Sequence, residues 1–257
     1  MAYAASITLG GKMIQLDGIS KVYKIRSGYM KYHDLYALDN ISTTFRNNII
    51  SGITGSSGSG KTTLANIIAG YDTDYAGQIL YNNSPVRTPG SVRYVFQDPY
   101  ISMNPVKTVE WHVVTAASIN NVEMGDAIEK LEMAGMDYST YRDRYGHSLS
   151  GGELQKLALA ISIIPEPEFI VLDEAFSMMD SITLFKTLNF LRQLKKTISI
   201  IYIDHDINRV AFASDYVYIL NHGKIIEENY TDQIMNVPLN DFTKELIKYS
   251  PDYHRRI

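Results

Sequence analysis

This 257-residue chain has no cysteine, and its excess of acidic over basic side chains is small. Without a thiol the chain cannot form a disulfide framework, a thiolate zinc site, an iron–sulfur cluster or a cysteine nucleophile. The chain has 28 acidic and 24 basic side chains, and its net charge of −4 argues against a dedicated nucleic-acid binder, so no nucleic-acid partner is expected. Its 45% hydrophobic and 20% charged residues exclude collagen-like, disordered and low-complexity classes.

Long apolar runs are also missing. The most apolar stretches, residues 161–164 and 169–172, are separated by prolines, whereas a membrane-spanning helix needs about 18 to 20 apolar residues. The N-terminus lacks the basic start and apolar core of a secretion signal, so we expect a cytoplasmic protein. Residues 1–12 stand apart from the pattern that follows, as a disordered tail or an expression remnant. Residues 13–257 are expected to form a single domain.

Strand-like and helical patterns alternate along the rest of the chain, which predicts an α/β fold. In this interpretation Gly18 marks a turn, Asn47 and Asn48 form a hairpin tip, and Gly125 separates two helical pieces. The predicted strands cover residues 13–23, 36–45, 49–53, 78–81, 92–96, 169–172 and 198–203. The predicted helices cover residues 61–69, 109–136 and 153–164.

A glycine-rich loop between an apolar strand and a helical pattern is the strongest local signal. It fits the P-loop pattern G-x-x-x-x-G-K-[ST], in which backbone N–H groups surround phosphates at the positive end of a helix. The lysine of this pattern reaches the β- and γ-phosphates, and the next hydroxyl can ligate Mg²⁺. The predicted nucleotide-binding residues here are Gly55, Ser56, Ser57, Gly58, Ser59, Gly60, Lys61, Thr62 and Thr63.

Two carboxylates follow the apolar residues 169–172. A P-loop needs such an acidic strand end to hold its metal ion. We expect Asp173 to hold Mg²⁺, directly or through water, and Glu174 to polarise the attacking water. A buried strand that ends in two solvated acids is common, so the preceding P-loop is what favours this interpretation.

The segment LSGGE places a hydroxyl and backbone donors just before a predicted helix, which is an anion-binding arrangement. The segment is weak evidence alone, and its position 20 residues before Asp173 makes it informative. Its residues are Leu149, Ser150, Gly151, Gly152 and Glu153.

With these motifs in this order, the sequence resembles the ATP-binding subunits of ABC transporters from about residue 13 to the C-terminus. Gln97 matches the glutamine loop of that family, residues 177–180 match its D-loop, and His205 matches its switch histidine. Tyr23 lies where the family has an aromatic residue that stacks on adenine. A finer resemblance is to the oligopeptide, dipeptide and nickel importer branch, through residues 96–105 (FQDPYISMNP), 24–36 and 238–243.

The resemblance implies a P-loop NTPase core with a parallel-rich sheet, an antiparallel β subdomain and an α-helical signature subdomain at about residues 98–165. It also implies ATP and Mg²⁺ as cofactors, with the metal held by Thr62, Gln97 and Asp173. Glu174 would be the general base, His205 would contact the γ-phosphate, and Lys61 would complete the catalytic set.

The resemblance further implies an assembly at the cytoplasmic face of the membrane. ATP would lie between the P-loop of one ATPase subunit and the LSGGE signature of a second, with a heterodimer favoured over a homodimer. Two integral membrane permease subunits would be direct partners and a solute-binding protein an indirect one. The expected cargo is a peptide, nickel or a metal chelate. Open alternatives are an exporter or unrelated importer, a non-transport ABC ATPase, and a catalytically degenerate binding subunit.

Some positions depart from the family pattern. Lys156 and Ile161 replace two arginines of the signature helix, Met178 and Met179 replace small and aliphatic D-loop residues, and Asp204 precedes the histidine. No residue expected to touch phosphate is lost, so these departures bear on the ATPase rate and on the symmetry of the dimer.

Overall fold

The computed structural model describes residues 12–28, 31–85 and 90–250, whose strands form two sheets. The bounds of the nine strands in these ranges are β1 Met13–Gly28, β2 Lys31–Arg46, β3 Ile50–Gly55, β4 Ala76–Tyr81, β5 Val92–Val95, β6 Phe169–Asp173, β7 Ser199–Ile203, β8 Tyr216–Asn221 and β9 Lys224–Tyr230. The bounds of the helices are α1 Lys61–Ala69, α2 Val109–Asn120, α3 Met124–Met133, α4 Tyr138–Tyr141, α5 Gly151–Ile163, α6 Ser181–Leu194, α7 Ile207–Ala213, α8 Thr231–Asn236 and α9 Asp241–Tyr249.

The smaller sheet is antiparallel and has the strand order β2-β1-β4. Strands β1 and β2 have 16 residues each and pair along most of their length. In this register Tyr23 lies directly opposite Leu35. The tyrosine-rich segment of residues 24–36 therefore belongs, where it is described, to the strands of this hairpin.

The larger sheet has the order β5-β6-β7-β3-β8-β9. All neighbours pair in parallel except β8 and β9. Strands β3, β6 and β7 are buried along their whole length, as expected for parallel strands covered on both faces. The carboxyl ends of β3, β5, β6 and β7 meet at one edge, which brings the P-loop, Gln97, Asp173 and His205 to the same place.

Two hydrophobic cores stabilise this arrangement. One joins the antiparallel sheet to the larger sheet through α1, with Phe45, Leu64 and Val171 among its buried side chains. The other joins the opposite face of the larger sheet to α5 and α6, with Leu157 and Leu188 among its buried side chains. Helix α1 is therefore packed between the sheets, and the P-loop at its start has a rigid support.

The predicted fold class is confirmed: a parallel-rich sheet, an antiparallel sheet and helices are all present. The limits of the helical subdomain stay a prediction, although α2 to α5 lie between β5 and β6 along the chain. The prediction for the N-terminal tail lies outside the described residues. No helix among residues 12–28, 31–85 and 90–250 is long and apolar enough to cross a membrane.

Three local predictions were wrong. Gly18 lies within β1, at a shift in strand register, and has φ 63°. The turn prediction failed because a β-bulge and a turn both use a glycine with positive φ. Asn48 does turn the chain with φ 56°, but β2 and β3 belong to different sheets and form no hairpin. Gly125 lies inside α3, and the break falls at Asn121, which ends α2 with φ 54°.

Candidate functional site

The loop after β3 is closely packed and requires glycine at two positions. Gly55 has φ 152°, and a Cβ there would lie 1.8 Å from the carbonyl oxygen of Leu220. Gly60 has φ 105°, and its Cβ would lie 2.3 Å from the carbonyl oxygen of Ala37. Both clashes are with backbone atoms, which cannot rotate away as a side chain can. The glycines of the sequence motif are therefore steric requirements of this fold.

Lys61 begins α1 and is only 7% exposed. Its Nζ donates hydrogen bonds to the carbonyl oxygens of Gly55, at 3.0 Å, and Ser56, at 2.9 Å. Burial lowers the pKa of Lys61, while three nearby carboxylates oppose that shift: Glu174, Asp173 and Asp204. The lysine is therefore a desolvated cation inside the loop, close to the acidic strand ends.

The start of α1 has polar groups without side-chain partners. Gly60 is its N-cap residue and gives no side-chain cap. The hydroxyl of Ser59 is buried and has no hydrogen-bond partner among the described residues. Ser56 Oγ donates to Asn221 Oδ1 at 3.1 Å, while Ser57 is exposed on the loop. Unpaired amides at a helix N-terminus attract anions, so this loop can bind phosphate.

The acidic strand end lies beside this loop. Asp173 is 4% exposed, and its Oδ2 accepts a hydrogen bond from the Tyr94 hydroxyl at 2.8 Å. Burial and the neighbouring Asp173 raise the pKa of Tyr94, so the phenol stays a donor. Glu174 has φ 46°, and its N–H donates to the carbonyl oxygen of Ile203 at 3.0 Å. This left-handed backbone follows directly after the last residue of β6, Asp173.

Gln97 and His205 approach opposite oxygens of Glu174. The amide Nε2 of Gln97 donates to Glu174 Oε2 at 3.1 Å. His205 Nδ1 lies 3.6 Å from Glu174 Oε1 and 3.5 Å from Asp204 Oδ1. The structure thus brings together Lys61, Glu174 and both of these residues, which are far apart in sequence.

The predicted metal ligands fit a hard divalent cation. Thr62 supplies a hydroxyl, Gln97 an amide oxygen and Asp173 a carboxylate, and these oxygen donors suit Mg²⁺. Thr62 is exposed, and Thr63 beside it is half-buried. The assignment of these ligands stays a prediction.

Tyr23 lies at the other side of the P-loop. It is 39% exposed and lines a pocket with Leu35, Tyr36 and Ala37 of β2. The rest of that lining comes from Gly58, Gly60, Lys61, Thr62 and Thr63. An aromatic ring that lines the same pocket as a phosphate loop can stack on a nucleotide base.

The polar groups of the LSGGE segment bond to each other in a capping box. Ser150 is the N-cap of α5, its Oγ accepts from Glu153 N at 3.3 Å, and its own N–H donates to Glu153 Oε2 at 2.7 Å. Glu153 also accepts from Tyr141 and Arg144, at 2.9 and 3.0 Å. Partial burial acts to raise the pKa of Glu153, but these hydrogen bonds outweigh it and hold the value at about 2.

The other signature residues lie against the D-loop. Leu149 is buried, and a Cβ on Gly151 would lie 2.6 Å from Met178 Sδ. Gly152 also lies close to the Met178 and Met179 backbone. Within the described parts of the chain, no hydrogen bond or ion pair joins residues 149–153 to the P-loop. The signature therefore lies with the D-loop, away from the phosphate site of its own chain.

The sequence model of the ABC transporter family matches residues 38–177, more than half of the chain. This chain belongs to the ABC transporter family. It is accordingly an ATPase subunit, which binds nucleotide and hydrolyses ATP. The prediction of the family is confirmed.

Several curated ABC proteins are similar to this subunit. The putrescine export system ATP-binding protein SapF of Escherichia coli K12 is 29% identical, over 91% of this chain and 92% of its own. A protein of Shigella flexneri with the same values is named peptide transport system ATP-binding protein SapF. A putative peptide import ATP-binding protein of Brucella ovis is 29% identical, over 93% of this chain and 78% of its own.

Solved ABC structures share the fold. A dimeric ATP-binding cassette in a post-hydrolysis state with ADP and Pi has a TM-score of 0.74 and 24% identity, over 85% of this chain and 98% of its own. A bacterial Atm1-family ABC exporter with ATP bound has a TM-score of 0.76 and 20% identity, over 96% of this chain and 43% of its own.

Sequence reasoning missed two polar contacts of this ABC ATPase site. Tyr94 holds Asp173 because β5 and β6 are neighbours in register, with Tyr94 opposite Val171. Buried Gln155 joins the signature helix to the D-loop, since its Oε1 accepts from Met178 N at 3.1 Å. Neither residue has a motif of its own, and only the order of the strands and the helix packing could have revealed them.

Proposed function

We propose that this chain is the ATP-hydrolysing subunit of an ABC importer for peptides. The observation that carries the proposal is the convergence of Lys61, Gln97, Glu174 and His205 at the P-loop. Relatives named as peptide import and peptide transport proteins support the choice of cargo.

The first step is recognition of the triphosphate. Lys61 would exchange its hydrogen bonds to loop carbonyls for bonds to phosphate oxygens, and the amides at the start of α1 would donate to the same group. Tyr23 would stack on the adenine. Mg²⁺, when bound by Thr62, Gln97 and Asp173, would neutralise phosphate charge.

The second step is attack by water. Glu174 would accept a proton from the water, whose oxygen bonds to the γ-phosphorus as the bond to the bridging oxygen breaks and ADP leaves. Gln97 and His205 lie on either side of the Glu174 carboxylate, so they would orient it and the γ-phosphate. These two contacts give the base a defined position before substrate arrives.

The signature would act in a second subunit. Because Ser150 and its neighbours do not reach the P-loop of their own chain, ATP would be enclosed by the signature of a partner ATPase. We expect that partner to be a different chain, giving a heterodimer. The pair would lie at the cytoplasmic face of the membrane against two permease subunits, with a solute-binding protein as indirect partner.

The competing interpretations differ in the molecule that is transported. Nickel or a metal chelate would suit the importer branch, and the name of the Escherichia coli relative points to putrescine export. Peptide import is favoured because the Brucella ovis relative is named for peptide import and the Shigella flexneri relative for peptide transport.

Uptake of a labelled oligopeptide tests this proposal. Cells with the gene deleted should lose uptake, and the wild-type gene should restore it while Glu174→Gln does not. Unchanged peptide uptake, with loss of nickel uptake or of putrescine efflux in the same cells, would contradict the peptide assignment.

A further inference from the structure

A buried lysine joins strand β1 to the segment that follows α1. Lys21 is 5% exposed, and its Nζ donates to Asp72 Oδ1 at 2.9 Å and to the carbonyl oxygen of Asp74. Asp74 Oδ2 lies 3.2 Å from the same nitrogen. The carboxylate of Asp72 is largely shielded from solvent, whereas that of Asp74 is 99% exposed. Asp72 is therefore the principal partner of Lys21.

The pair is charged throughout the neutral pH range. Burial acts to lower the pKa of Lys21, but hydrogen bonds to the two aspartates outweigh it and raise that pKa. Burial likewise acts to raise the pKa of Asp72, and the bond to Lys21 outweighs it and lowers that pKa. A buried charge is tolerated only when it is paired in this way. The contact therefore does not switch within the neutral pH range.

Both members of the pair also contact Tyr23. Lys21 Nζ lies 5.1 Å from the centroid of the Tyr23 ring, within the range of a cation–π interaction. The Tyr23 hydroxyl donates to Asp72 Oδ2 in a long hydrogen bond of 3.4 Å. Asp72 therefore uses one oxygen for the lysine and the other for the tyrosine. Ring and hydroxyl of Tyr23 are both held by the same two side chains.

The Lys21–Asp72 pair fixes the position of the Tyr23 ring relative to α1, the helix that begins at the P-loop. Helix α1 begins at the P-loop residue Lys61 and ends at Ala69, and Asp72 follows after its C-cap Gly70. Tyr23 shares a pocket with the P-loop residue Thr62. The Lys21–Asp72 pair thus connects the ring to the far end of the helix whose near end would hold the phosphates.

We propose that Lys21 and Asp72 are positioning residues that hold the Tyr23 ring in place for the adenine base of ATP. The inference rests on the proposed function, in which Tyr23 stacks on the base and the P-loop holds the phosphates. It adds that the affinity for the base part of ATP depends on two residues that do not touch the nucleotide.

Isothermal titration of the full chain with Mg-ATP and with Mg-tripolyphosphate tests this inference, because tripolyphosphate has no base. Lys21→Met should weaken ATP binding by about 2- to 30-fold, the range of a cation–π contact, and leave tripolyphosphate binding unchanged. Asp72→Asn keeps the shape of the side chain and should give a smaller loss in the same sense. The control Lys24→Met, on an exposed lysine of the same strand, should change neither.

Equal weakening of ATP and tripolyphosphate by Lys21→Met or Asp72→Asn would overturn the inference, since it would indicate general damage to the P-loop. So would ATP binding that neither variant alters. Tyr23→Ala separates this failure from that of the proposed base site. If Tyr23→Ala weakens ATP alone while the Lys21 and Asp72 variants do not, only the positioning role falls. If Tyr23→Ala leaves ATP binding unchanged, the adenine assignment and the inference both fall.

Discussion

The phosphate site and the signature of this ABC ATPase are built in opposite ways. At the phosphate site, Lys61, Gln97, Glu174 and His205 come from separate strand ends. Among the described residues, the Ser59 hydroxyl and the start of α1 have no side-chain partner. At the signature, Ser150 and Glu153 satisfy each other in a capping box. The first region is an open arrangement that a ligand completes, and the second is a rigid element complete by itself. In the proposed function, this difference is the reason that one chain binds nucleotide while hydrolysis needs the signature of a second chain.

The largest effect is expected at the phosphate site. Glu174→Gln should lower ATP turnover in the assembled transporter by about 10²- to 10³-fold, the usual cost of losing one transition-state contact. ATP affinity should be kept, because the amide has the same shape and Lys61 is unchanged. Turnover and nucleotide affinity measured on the same preparation check this. Glu168→Gln, just before the opposite end of β6, is the matched control and should leave turnover unchanged.

Wild-type turnover of Glu174→Gln would remove the general-base assignment. It would also weaken the comparison, since the convergence of the strand ends would then have no catalytic meaning.

The second effect concerns the backbone of the loop. Both glycines have positive φ, 105° for Gly60 and 73° for Gly58, so an alanine at either position is strained, but only Gly60→Ala also places its Cβ 2.3 Å from the Ala37 carbonyl oxygen. A Cβ on Gly58 meets no atom of the described residues within 4 Å. Strain of about 1–3 kcal/mol corresponds to a 5- to 150-fold loss of ATP affinity for Gly60→Ala. Fluorescent-nucleotide titration should show a clearly smaller loss for Gly58→Ala. Equal losses would show that loop sterics do not set affinity.

Local pattern predicted most of the fold and the candidate residues of the P-loop and of the acidic strand end, whereas Gln97, His205 and Tyr23 were predicted from the resemblance. The P-loop, Asp173 and Glu174 are adjacent in sequence to strand ends, so their positions follow from element type alone. The approach of Gln97 and His205 to one carboxylate depends on the strand order β5-β6-β7-β3, which no local pattern contains. The resemblance to a family supplied that information.

Other features could not be read from the sequence for physical reasons. Gly18 has the positive φ that serves equally for a turn and a bulge, and only pairing with two neighbouring strands decides between them. Residues 24–35 have no strand prediction, because their described side chains, at 24–26 and 32–35, are all exposed and show no alternation of buried and exposed positions. Lys21 is one of two lysines in β1, and its partner Asp72 is distant in sequence.

A third, smaller effect is expected at the signature. Ser150→Ala removes the N-cap of α5 and should lower the free energy of unfolding by about 1 kcal/mol. ATP affinity of the isolated chain should not change, since this helix does not contact its own P-loop. Urea denaturation and nucleotide titration check the two halves of this prediction. A fall in the affinity of the isolated chain would contradict the separation of the two regions.

A further effect is a pH dependence of the capping box. The pKa of Glu153 is about 2 in the folded chain, against an ordinary 4.5. The ionised carboxylate therefore stabilises the fold above pH 4.5, and this stabilisation is lost as the pH falls toward 2. The stability difference between wild type and Glu153→Gln should be constant from about pH 7 to 5 and then narrow. Denaturation curves across this range check it. A difference that widens with acid would show that the carboxylate is not held by its hydrogen bonds.

Gly152→Asp tests the central claim most directly, because it places a negative charge at the signature and leaves the P-loop of the same chain untouched. The measurement is ATP affinity of the isolated monomeric chain beside ATP turnover of the assembled transporter. We predict unchanged affinity in the monomer and loss of turnover in the assembly, where the new carboxylate would face the phosphates held by the partner. Loss of affinity in the isolated chain, or normal turnover in the assembly, would contradict a site completed by a second subunit.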